Sequence, residues 1–499
     1  MQIVGNFFDG KKEDIKISND EIYLNIFNPS TGENIKKVKD SNLNDFNNII
    51  KSSKAGFYEW SKYTPLKRSR IIANFKKILE DKKKDLAEII CEEHGKTFDD
   101  AIGSITRGIE VVEFVCGIPH LLKGEFSQNV GTDIDSWSIR QPIGITVGIT
   151  PFNFPAMVPL WMFPVSIACG NAFILKPSEK NPSCSIKMAE YFTDAGLPDG
   201  VLNIMNGGAK SVNMLLESKD INSISFVGST NVAEYIYSTA AKNKKRVQAL
   251  GGAKNHLVVM PDADLNQAVD GIIGASFGSA GERCMAVSVA VAVGDIANDL
   301  VKKIKNKAEI LKVSPWTDEK SDMGPLISSE HLKKVNNYID TGINEGAKII
   351  LDGRNLQIQG YEKGYFIGPT IFDDVKEDMQ IYKDEIFGPV LSVVRVDSYE
   401  KALEIINNHK FGNGTCIYTS SGEISRHFST NTKIGMVGVN VPIPVPMAFH
   451  SFGGWKESLF GANGMHGTDG INFYTKLKTV TSRWPQSIKA GPEFKMPTN

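Results

Sequence analysis

The hydrophobic and polar positions of this chain alternate between two patterns over most of its length. Short runs of β-branched and apolar residues, at 144–150, 172–176, 201–205 and 223–227, predict strands. Helical periodicity lies between them, and the helix predicted from Ser183 to Ala195 ends at the stop signal Gly196-Leu197-Pro198. Strands that alternate with helices in this way predict an α/β fold with parallel sheets.

A second series of the same kind begins after Gly251 and Gly252. It comprises strand runs at 256–260, 287–293, 390–396 and 436–440, with a predicted helix from Leu265 to Ser279. We place a domain boundary at the two glycines, where one series gives way to the next. Residues 137–140 and 473–476 are further strand candidates, which we assign to a separate small element.

Composition and charge exclude several classes of protein. The formal net charge is -1, so no basic surface for nucleic acid is expected. The most apolar segment, 156–169, contains Pro159 and Pro164 and is shorter than the ~20 residues of a membrane span, so it predicts buried core. The first residues lack the features of a signal peptide, and the cysteines form neither a CxxC pair nor a zinc-ligand pattern. We expect a cytoplasmic protein without a bound metal or membrane contact.

The segment 278–284 ends in a candidate nucleophile, Cys284. A cysteine is a strong nucleophile as a thiolate, which nearby positive charge and oriented backbone N–H groups favour. Arg283 is adjacent, and the small residues before it leave room for a substrate. For an arbitrary cysteine the commoner role is that of a small buried apolar residue, so this segment alone does not decide between the two.

Two further segments directly follow predicted strands, where α/β sheets bind their ligands. In 150–155, Asn153 offers a side-chain N–H for a developing oxyanion, and a local turn cap is the alternative. In 175–179, Lys176 and Glu179 are placed to bond ribose hydroxyls, and ordinary solvated charges are the alternative.

The segment 226–230 combines a strand end, Gly228, Ser229 and the start of a helix. A helix N-terminus beside a glycine is a phosphate site, although the chain lacks the G-x-G-x-x-G fingerprint of many dinucleotide sites. Simple N-capping by Ser229 or Thr230 is the alternative.

Taken together, these segments resemble the aldehyde dehydrogenase superfamily over nearly the whole chain, and segments 28–33 and 383–389 add to the resemblance. Within the superfamily the chain is similar to the CoA-acylating methylmalonate-semialdehyde (malonate-semialdehyde) dehydrogenases. The segments that carry this similarity are 281–286 around the cysteine, 249–256, and 447–455 near the C-terminus.

The resemblance implies an α/β subunit with two parallel-sheet Rossmann-type domains and a β oligomerisation flap. Residues 1–122 and 143–251 would bind NAD, 252–458 would form the catalytic domain with Cys284, and 123–142 with 466–488 would form the flap. Relatives pair this flap between subunits and form dimers or tetramers. We expect a homotetramer built as a dimer of dimers, and a dimer is the alternative.

The resemblance also assigns roles to residues. Cys284 would be the nucleophile and Asn153 the oxyanion-hole side chain. The implied cofactor is NAD, because Glu179 on both ribose hydroxyls would repel the 2′-phosphate of NADP. The implied cofactor-binding residues are Thr150, Phe152, Lys176, Glu179, Lys180, Gly228, Ser229, Gly251, Glu385 and Phe387.

Most hydrolytic relatives have a glutamate where this chain has Ala249, and in them it activates the water that hydrolyses the acyl-enzyme. Its absence implies a thioester that waits for a thiol, which coenzyme A supplies. Glu282, next but one to Cys284, is a possible substitute base. Arg107 and Arg283 would grip a substrate carboxylate with planar hydrogen bonds.

The expected reaction is NAD-dependent, CoA-acylating oxidation and decarboxylation of malonate or methylmalonate semialdehyde to acetyl-CoA or propionyl-CoA, CO2 and NADH. Two alternatives stay open. One is a hydrolytic aldehyde dehydrogenase that yields a free acid, and the other is a non-catalytic binding protein with the same fold. The sequence does not distinguish malonate from methylmalonate semialdehyde.

Overall fold

The computed structural model describes residues 2–15 and 21–484; residues 1, 16–20 and 485–488 of the predicted domains lie outside that part. The helices α1 to α16 are, in chain order, Leu43–Trp60, Pro65–Asp81, Lys83–His94, Phe98–Cys116, Ile118–Leu121, Met157–Ala168, Ser183–Asp194, Ala209–Glu217, Thr230–Lys242, Leu265–Phe277, Ala297–Glu309, Ser329–Asn344, Gln380–Lys383, Tyr399–Asn408, Gly422–Asn431 and Gly467–Phe473. The strands β1 to β23 are Gln2–Val4, Phe7–Phe8, Lys11–Lys12, Tyr23–Asn28, Glu33–Lys39, Phe126–Gly131, Ile134–Pro142, Ile145–Ile149, Ala172–Lys176, Leu202–Ile204, Ile221–Val227, Arg246–Leu250, Asn255–Val259, Val287–Val293, Lys348–Leu351, Thr370–Asp373, Val390–Val396, Phe411–Gly412, Gly414–Tyr418, Met436–Val439, Trp455–Lys456, Leu459–Phe460 and Thr475–Arg483.

The first large sheet has the strand order β22-β12-β11-β8-β9-β10-β2-β3. Its five central strands are parallel, and antiparallel β22 and β2 flank them. Every residue of β8 and β9 is buried, because helices cover both faces of a parallel sheet. After β8 the chain adds β9 and β10 on one side of it, and β11 then pairs with the other side of β8. The strand order therefore reverses between β8 and β11. Such a reversal opens a crevice at the carboxyl ends of the strands.

The apolar segment 156–169 forms α6, whose residues from Val158 to Ala168 are all buried. A helix that is apolar on every side lies within a protein core, as predicted, and Pro164 is accommodated inside it. Among the described residues, no helix is both long and apolar enough to cross a membrane. The cytoplasmic location stays a prediction.

The second large sheet has the order β15-β16-β17-β14-β13-β19-β20 and is parallel except for β15. The parallel α/β architecture predicted from the hydrophobic pattern is therefore confirmed. Sheet membership changes between Leu250, the last residue of β12, and Asn255, the first of β13. The two glycines at 251 and 252 thus lead from the carboxyl edge of the first sheet to the amino edge of the second.

A third sheet, β23-β7-β6, is antiparallel and separate from the other two. The strand prediction at 137–140 falls inside β7 and is confirmed. The prediction at 473–476 is partly wrong: Phe473 ends α16, Tyr474 caps it, and β23 begins at Thr475. Both of these aromatic residues are buried, and that packing favours one more helical turn over an extended chain.

The helix predicted from Leu265 to Ser279 also ends early, at Phe277. The next residues form a tight 3₁₀ turn, Gly278–Gly281, in which Ser279 and Ala280 have φ angles of 53° and 52°. Left-handed backbone at residues other than glycine costs about 1–3 kcal/mol each, so surrounding structure must hold this turn in place. It leads directly into the segment that carries Cys284.

Candidate active site

Cys284 lies on the loop between that turn and β14, at the amino edge of the second sheet, and is half-buried. Two asparagines fix its backbone. The side-chain amide of Asn255 donates to the Cys284 carbonyl at 2.9 Å, and that of Asn413 donates to the same oxygen at 3.0 Å. These residues begin β13 and directly precede β19, which are neighbours in the sheet. The sequence analysis missed both, because two asparagines so far apart in the chain carry no local signal.

The turn before Cys284 is held by the segment that follows α13. A Cβ atom at Gly281 would lie 2.3 Å from the carbonyl oxygen of Gly388, so only glycine fits there. The φ of Gly281 is 71°, which glycine adopts without strain. This close approach links the nucleophile loop to the predicted cofactor residues Glu385 and Phe387.

Burial raises the pKa of the Cys284 thiol to about 11, and the negative charge of Glu385 acts in the same direction. Arg283 and backbone N–H groups lower that pKa, but they do not prevail. The guanidinium of Arg283 forms an ion pair with Asp100. Arg283 is thus engaged by Asp100, and burial favours the neutral thiol of Cys284 in the free protein.

Asn153 is brought to the nucleophile segment. It is 3% exposed, and its side-chain amide donates to the carbonyl of Glu282 at 2.9 Å. That hydrogen bond uses one of the two amide hydrogens of Asn153, and the other stays available for an oxyanion. The Asn153 side chain therefore bridges the two large sheets next to Cys284 rather than capping its own turn.

A cavity of about 310 Å³ lies beside Cys284 and brings the two predicted arginines together. Arg107, on α4, donates through Nη2 to the carbonyl oxygen of Pro446 at 2.8 Å, and its Nη1 lies 2.5 Å from Glu110. The full lining is Asp100, Gly103, Ser104, Arg107, Phe154, Met157, Trp161, Val227, Leu250, Gly251, Arg283, Cys284, Met285, Asn413, Met436, Ile443, Val445 and Phe452.

Helix α4 forms one wall of this cavity. Thr97 caps its N-terminus by accepting from the backbone N–H of Asp100, and acidic residues suit that end of a helix. Positions 100, 103, 107 and 110 follow one another at intervals of three or four, so they share a face of α4. Lys96 directly precedes the N-cap residue Thr97; it is buried, and its Nζ lies 3.0 Å from Asp100. The sequence analysis missed both residues: the helical spacing from Arg107 was a signal for Asp100, and Lys96 had none.

Ala249 is fully buried, and Leu250, not Ala249, lines the cavity. The carboxylate of Glu282 is also turned away from the cavity. One of its oxygens accepts from the backbone N–H of Ile327 at 3.1 Å, and the histidines 94 and 331 lie beyond it at 3.8 and 3.6 Å. Burial raises the pKa of Glu282 to about 8. Asp100 carries the one carboxylate among the described residues that line the cavity, and it forms ion pairs with Lys96 and Arg283.

The predicted ribose residues lie together at the end of β9. The Nζ of Lys176 is 3.1 Å from Oε2 of Glu179, and Lys180 follows them half-buried. Burial is the largest single influence on Glu179 and raises its pKa, but the charge and hydrogen bond of Lys176, a backbone hydrogen bond and the charge of Lys180 together outweigh it and lower that pKa. Thr150, at the end of neighbouring β8, is buried, and its hydroxyl has no partner among the described residues. An unpartnered buried hydroxyl in this crevice suits a polar ligand.

Helix α9 begins at the end of β11 and offers its N-terminus to the same crevice. Ser229 stands at the N-cap, but within the described residues its side chain makes no capping hydrogen bond. The hydroxyl of Thr230 instead accepts from the backbone N–H of Gly252 at 2.9 Å. The alternative of simple N-capping is thus not observed, and the first N–H groups of α9 suit a phosphate. Gly228 precedes them directly.

On the opposite wall, Glu385 Oε1 accepts from the backbone N–H of Ala253 at 3.0 Å. Burial raises the pKa of Glu385 to about 7. Phe387 has a φ of 61°, and its carbonyl oxygen lies 2.7 Å from Nε2 of His331. Its ring packs edge-on against that of Phe152, with centroids 5.9 Å apart.

Gly251 completes the crevice, because a Cβ atom there would lie 2.8 Å from the carbonyl oxygen of Glu457. The crevice fits a dinucleotide. The N-terminus of α9 and the close-packed glycines suit its pyrophosphate, and the carboxylates of Glu179 and Glu385 suit its two riboses.

Known proteins are similar to this chain over most of its length. A model of the aldehyde dehydrogenase family matches residues 17–480. The malonate-semialdehyde dehydrogenase of Pseudomonas aeruginosa is 54% identical over 462 residues, which cover 92% of this chain and 93% of that protein.

Two solved structures are also similar. A protein described as a methylmalonate-semialdehyde dehydrogenase from Sinorhizobium meliloti 1021, solved in complex with NAD, has a TM-score of 0.96 and 54% identity, covering 98% of this chain and 99% of that chain. The methylmalonate-semialdehyde dehydrogenase of Oceanimonas doudoroffii has a TM-score of 0.95 and 50% identity, with coverage of 98% and 99%.

Proposed function

The chain belongs to the aldehyde dehydrogenase family, and from that premise we propose that it oxidises malonate or methylmalonate semialdehyde with NAD and transfers the product to coenzyme A. The observation that carries this proposal is the cavity in which Cys284 stands with Arg107 and Arg283. A nucleophile and two guanidinium groups in one small cavity suit an aldehyde that also bears a carboxylate. The names of the relatives support the same substrate class.

The crevice between the sheets supports NAD as the cofactor. We assign the adenosine ribose to Lys176 and Glu179, the pyrophosphate to Gly228 and Ser229, and the nicotinamide ribose to Glu385. The chemistry that NAD supplies when bound is acceptance of a hydride from the substrate carbon. A carboxylate at Glu179 repels a 2′-phosphate, which favours NAD over NADP.

The residues of this chain act first on the aldehyde. The thiol of Cys284 first gives its proton to solvent. The thiolate sulfur then forms a bond to the aldehyde carbon, and the π electrons of the carbonyl group move to its oxygen, which becomes an oxyanion. We assign stabilisation of that oxyanion to the free amide hydrogen of Asn153 and the backbone N–H of Cys284. Hydride loss from the same carbon leaves a thioester on Cys284.

The thioester then loses its carboxylate. The bond from the α-carbon to the carboxylate breaks, CO2 leaves, and the electron pair moves into the thioester carbonyl to form an enolate. The enolate takes a proton from solvent at the α-carbon, and the same oxyanion hole that we assign to Asn153 stabilises its oxygen. The thiolate of coenzyme A then attacks the thioester, and Cys284 leaves as a thiolate.

The cavity favours coenzyme A over water as the final acceptor. A general base contributes about 10²–10⁴-fold to such a step. Ala249 supplies no base, Glu282 is turned away, and Asp100 is held by two cations. Water therefore attacks slowly, and a thiol, which is more nucleophilic, takes the acyl group.

The small antiparallel sheet supports the proposal of a homotetramer. Phe126, Leu477 and Trp484 of this sheet region are more than half exposed, at 64%, 58% and 56%. The register puts Leu477 on the face opposite to Phe126, so apolar side chains are exposed on both faces of the sheet, which suits contact with a second copy of the chain.

Product analysis tests the proposed function. Purified protein, NAD and malonate semialdehyde are incubated with and without coenzyme A, and products are identified by mass spectrometry. We expect NADH, CO2 and acetyl-CoA when coenzyme A is present, and very slow turnover without it. A free acid formed at the same rate in both mixtures would support the hydrolytic alternative, and the absence of NADH formation would support the non-catalytic one.

A further inference from the structure

Both arginines of the cavity are already paired with a carboxylate, and both carboxylates lie on α4. Glu110 Oε2 lies 2.5 Å from Nη1 of Arg107, and Asp100 forms an ion pair with Nη2 of Arg283. Lys96, which is buried, lies 3.0 Å from the other oxygen of Asp100. One helix therefore supplies the counter-charges for both arginines.

These five groups leave one net positive charge, because three cations face two carboxylates. Burial lowers the pKa of Lys96, and its ion pair with Asp100 opposes that shift and favours the charged form. Other titratable neighbours do not change this balance at neutral pH. Burial and the nearby Arg107 lower the pKa of His466 to about 4, so it is neutral. Burial raises the pKa of Glu282 to about 8, so it is largely protonated at pH 7. Burial also lowers the pKa of His94 well below its ordinary value.

A single net positive charge matches a single substrate carboxylate. During decarboxylation the negative charge of the substrate moves from the carboxylate beside the arginines to the thioester oxygen. Any attraction that is present in the ground state and lost in the transition state raises the barrier to that step. Arginines without counter-charges would hold the carboxylate tightly and slow its loss.

We propose that Glu110, together with Asp100, offsets the charge of the arginines, so that they recognise the substrate carboxylate and still release it as CO2. This inference rests on the proposed function. Glu110 acts through Arg107 and is a positioning residue, since it does not line the cavity itself. The arrangement resolves a conflict between the two steps: recognition needs positive charge, and decarboxylation is slowed by it.

The test uses Glu110→Gln, which removes the charge and keeps the size and hydrogen-bonding capacity of the side chain. Asp100 is less suitable, because its loss would leave buried Lys96 without a counter-charge. The matched control is Glu113→Gln on the same helix, where Glu113 pairs with Lys76 at 2.7 Å and is 63% exposed. Both variants lose one carboxylate and one ion pair, but only the first changes an arginine of the cavity.

Both variants are assayed with malonate semialdehyde, and with propanal as an aldehyde that lacks the carboxylate. For Glu110→Gln we expect a KM for malonate semialdehyde that is lower by at least threefold and a rate of CO2 release that is lower by at least fivefold. Coenzyme A thioester that still carries the carboxylate should become detectable by mass spectrometry. The constants for propanal should stay within twofold of wild type. Glu110→Asp, which keeps the charge, should restore the wild-type product.

Equal behaviour of Glu110→Gln and Glu113→Gln with both aldehydes would overturn the proposal. A higher KM for malonate semialdehyde in Glu110→Gln would also overturn it, because Glu110 would then only orient Arg107. If the wild-type protein forms a free acid instead of a thioester, the proposed function fails. The KM comparison between the two aldehydes then still decides whether Glu110 weakens the hold on a carboxylate.

Discussion

The two sides of Cys284 are built from different parts of the polypeptide. The dinucleotide crevice is made of strand ends, close-packed glycines and a helix N-terminus, so backbone groups supply much of its chemistry. The substrate cavity is made of side chains from α4, the nucleophile loop and the loop after β20, and its charges are paired with one another. The first kind of site suits a ligand that many proteins share, and the second selects one substrate.

Replacement of Cys284 gives the largest expected difference between the two sides, because it should abolish turnover and leave NAD binding intact. We expect Cys284→Ala to lower turnover with any aldehyde on the order of 10⁶-fold, since removal of a nucleophile has an effect of that size. NAD binding, measured by quenching of tryptophan fluorescence, should be unchanged, because the crevice does not depend on the thiol. Cys116→Ala, at another half-buried cysteine, is the control and should keep wild-type turnover. Turnover of Cys284→Ala within tenfold of wild type would exclude Cys284 as the nucleophile.

The raised pKa of Cys284 predicts how the thiol reacts with pH. With a pKa of about 11, the thiolate fraction of the free protein rises about tenfold per pH unit from pH 7 to pH 10. The rate of alkylation by iodoacetamide at Cys284, followed by peptide mass spectrometry, should rise by about 10³-fold over that range. A rate that levels off below pH 8 would show that the thiol is ionised at rest. Denatured protein is the control, because its thiols should level off near the ordinary pKa.

Replacement of Arg107 affects only the substrate side. The Arg107 side chain is 33% exposed, so the loss of its hydrogen bonds to the substrate carboxylate should cost about 1.5–3 kcal/mol, and Arg107→Leu should raise the KM for malonate semialdehyde by about tenfold or more. The KM for propanal and the KM for NAD should change by less than threefold. Arg426→Leu, at an exposed arginine of α15, is the control. Equal losses on both aldehydes would mean that Arg107 does not bind the substrate carboxylate.

Replacement of Glu179 affects only the cofactor side. We expect Glu179→Gln to raise the KM for NAD by about tenfold, because a charge-assisted hydrogen bond to the ribose is weakened. The preference for NAD over NADP should fall by a similar factor, and the KM for malonate semialdehyde should not change. Glu190→Gln, which removes ion pairs of α7 elsewhere, is the control. An unchanged preference for NAD would remove Glu179 from the cofactor site.

Replacement of Gly103 by alanine gives the smallest expected effect, which is on stability. Replacement of Gly103 by leucine tests whether the substrate uses the cavity space next to α4. Glycine inside a helix is less stable than alanine by about 0.5–1 kcal/mol, and a Cβ atom at Gly103 would meet nothing within 4 Å. Gly103→Ala should therefore raise the free energy of unfolding by about that amount, which denaturant unfolding would measure. Gly103→Leu should lower turnover of both aldehydes by filling the cavity, and wild-type turnover of that variant would show that the space is not used.

Much of the fold could be predicted because its signals are local. The strands β8, β9, β14 and β17 follow from short runs rich in β-branched and apolar residues, and α7 from its periodicity and the glycine after it. The predictions were wrong at 279 and at 473–474. There the chain follows packing instead of propensity, with Ser279 in a left-handed conformation and Phe473 drawn into a helix against the core.

The sequence by itself determined the family, and it predicts the nucleophile and the site residues at strand ends, because each of these is carried by a short segment with its own pattern. Only the tertiary structure decided the state of Cys284, the direction of the Glu282 carboxylate and the pairing of both arginines on α4. Those properties depend on burial and on charges from residues far apart in the chain. A pKa or an ion pair is set by the distances among such groups, and a sequence pattern does not contain those distances.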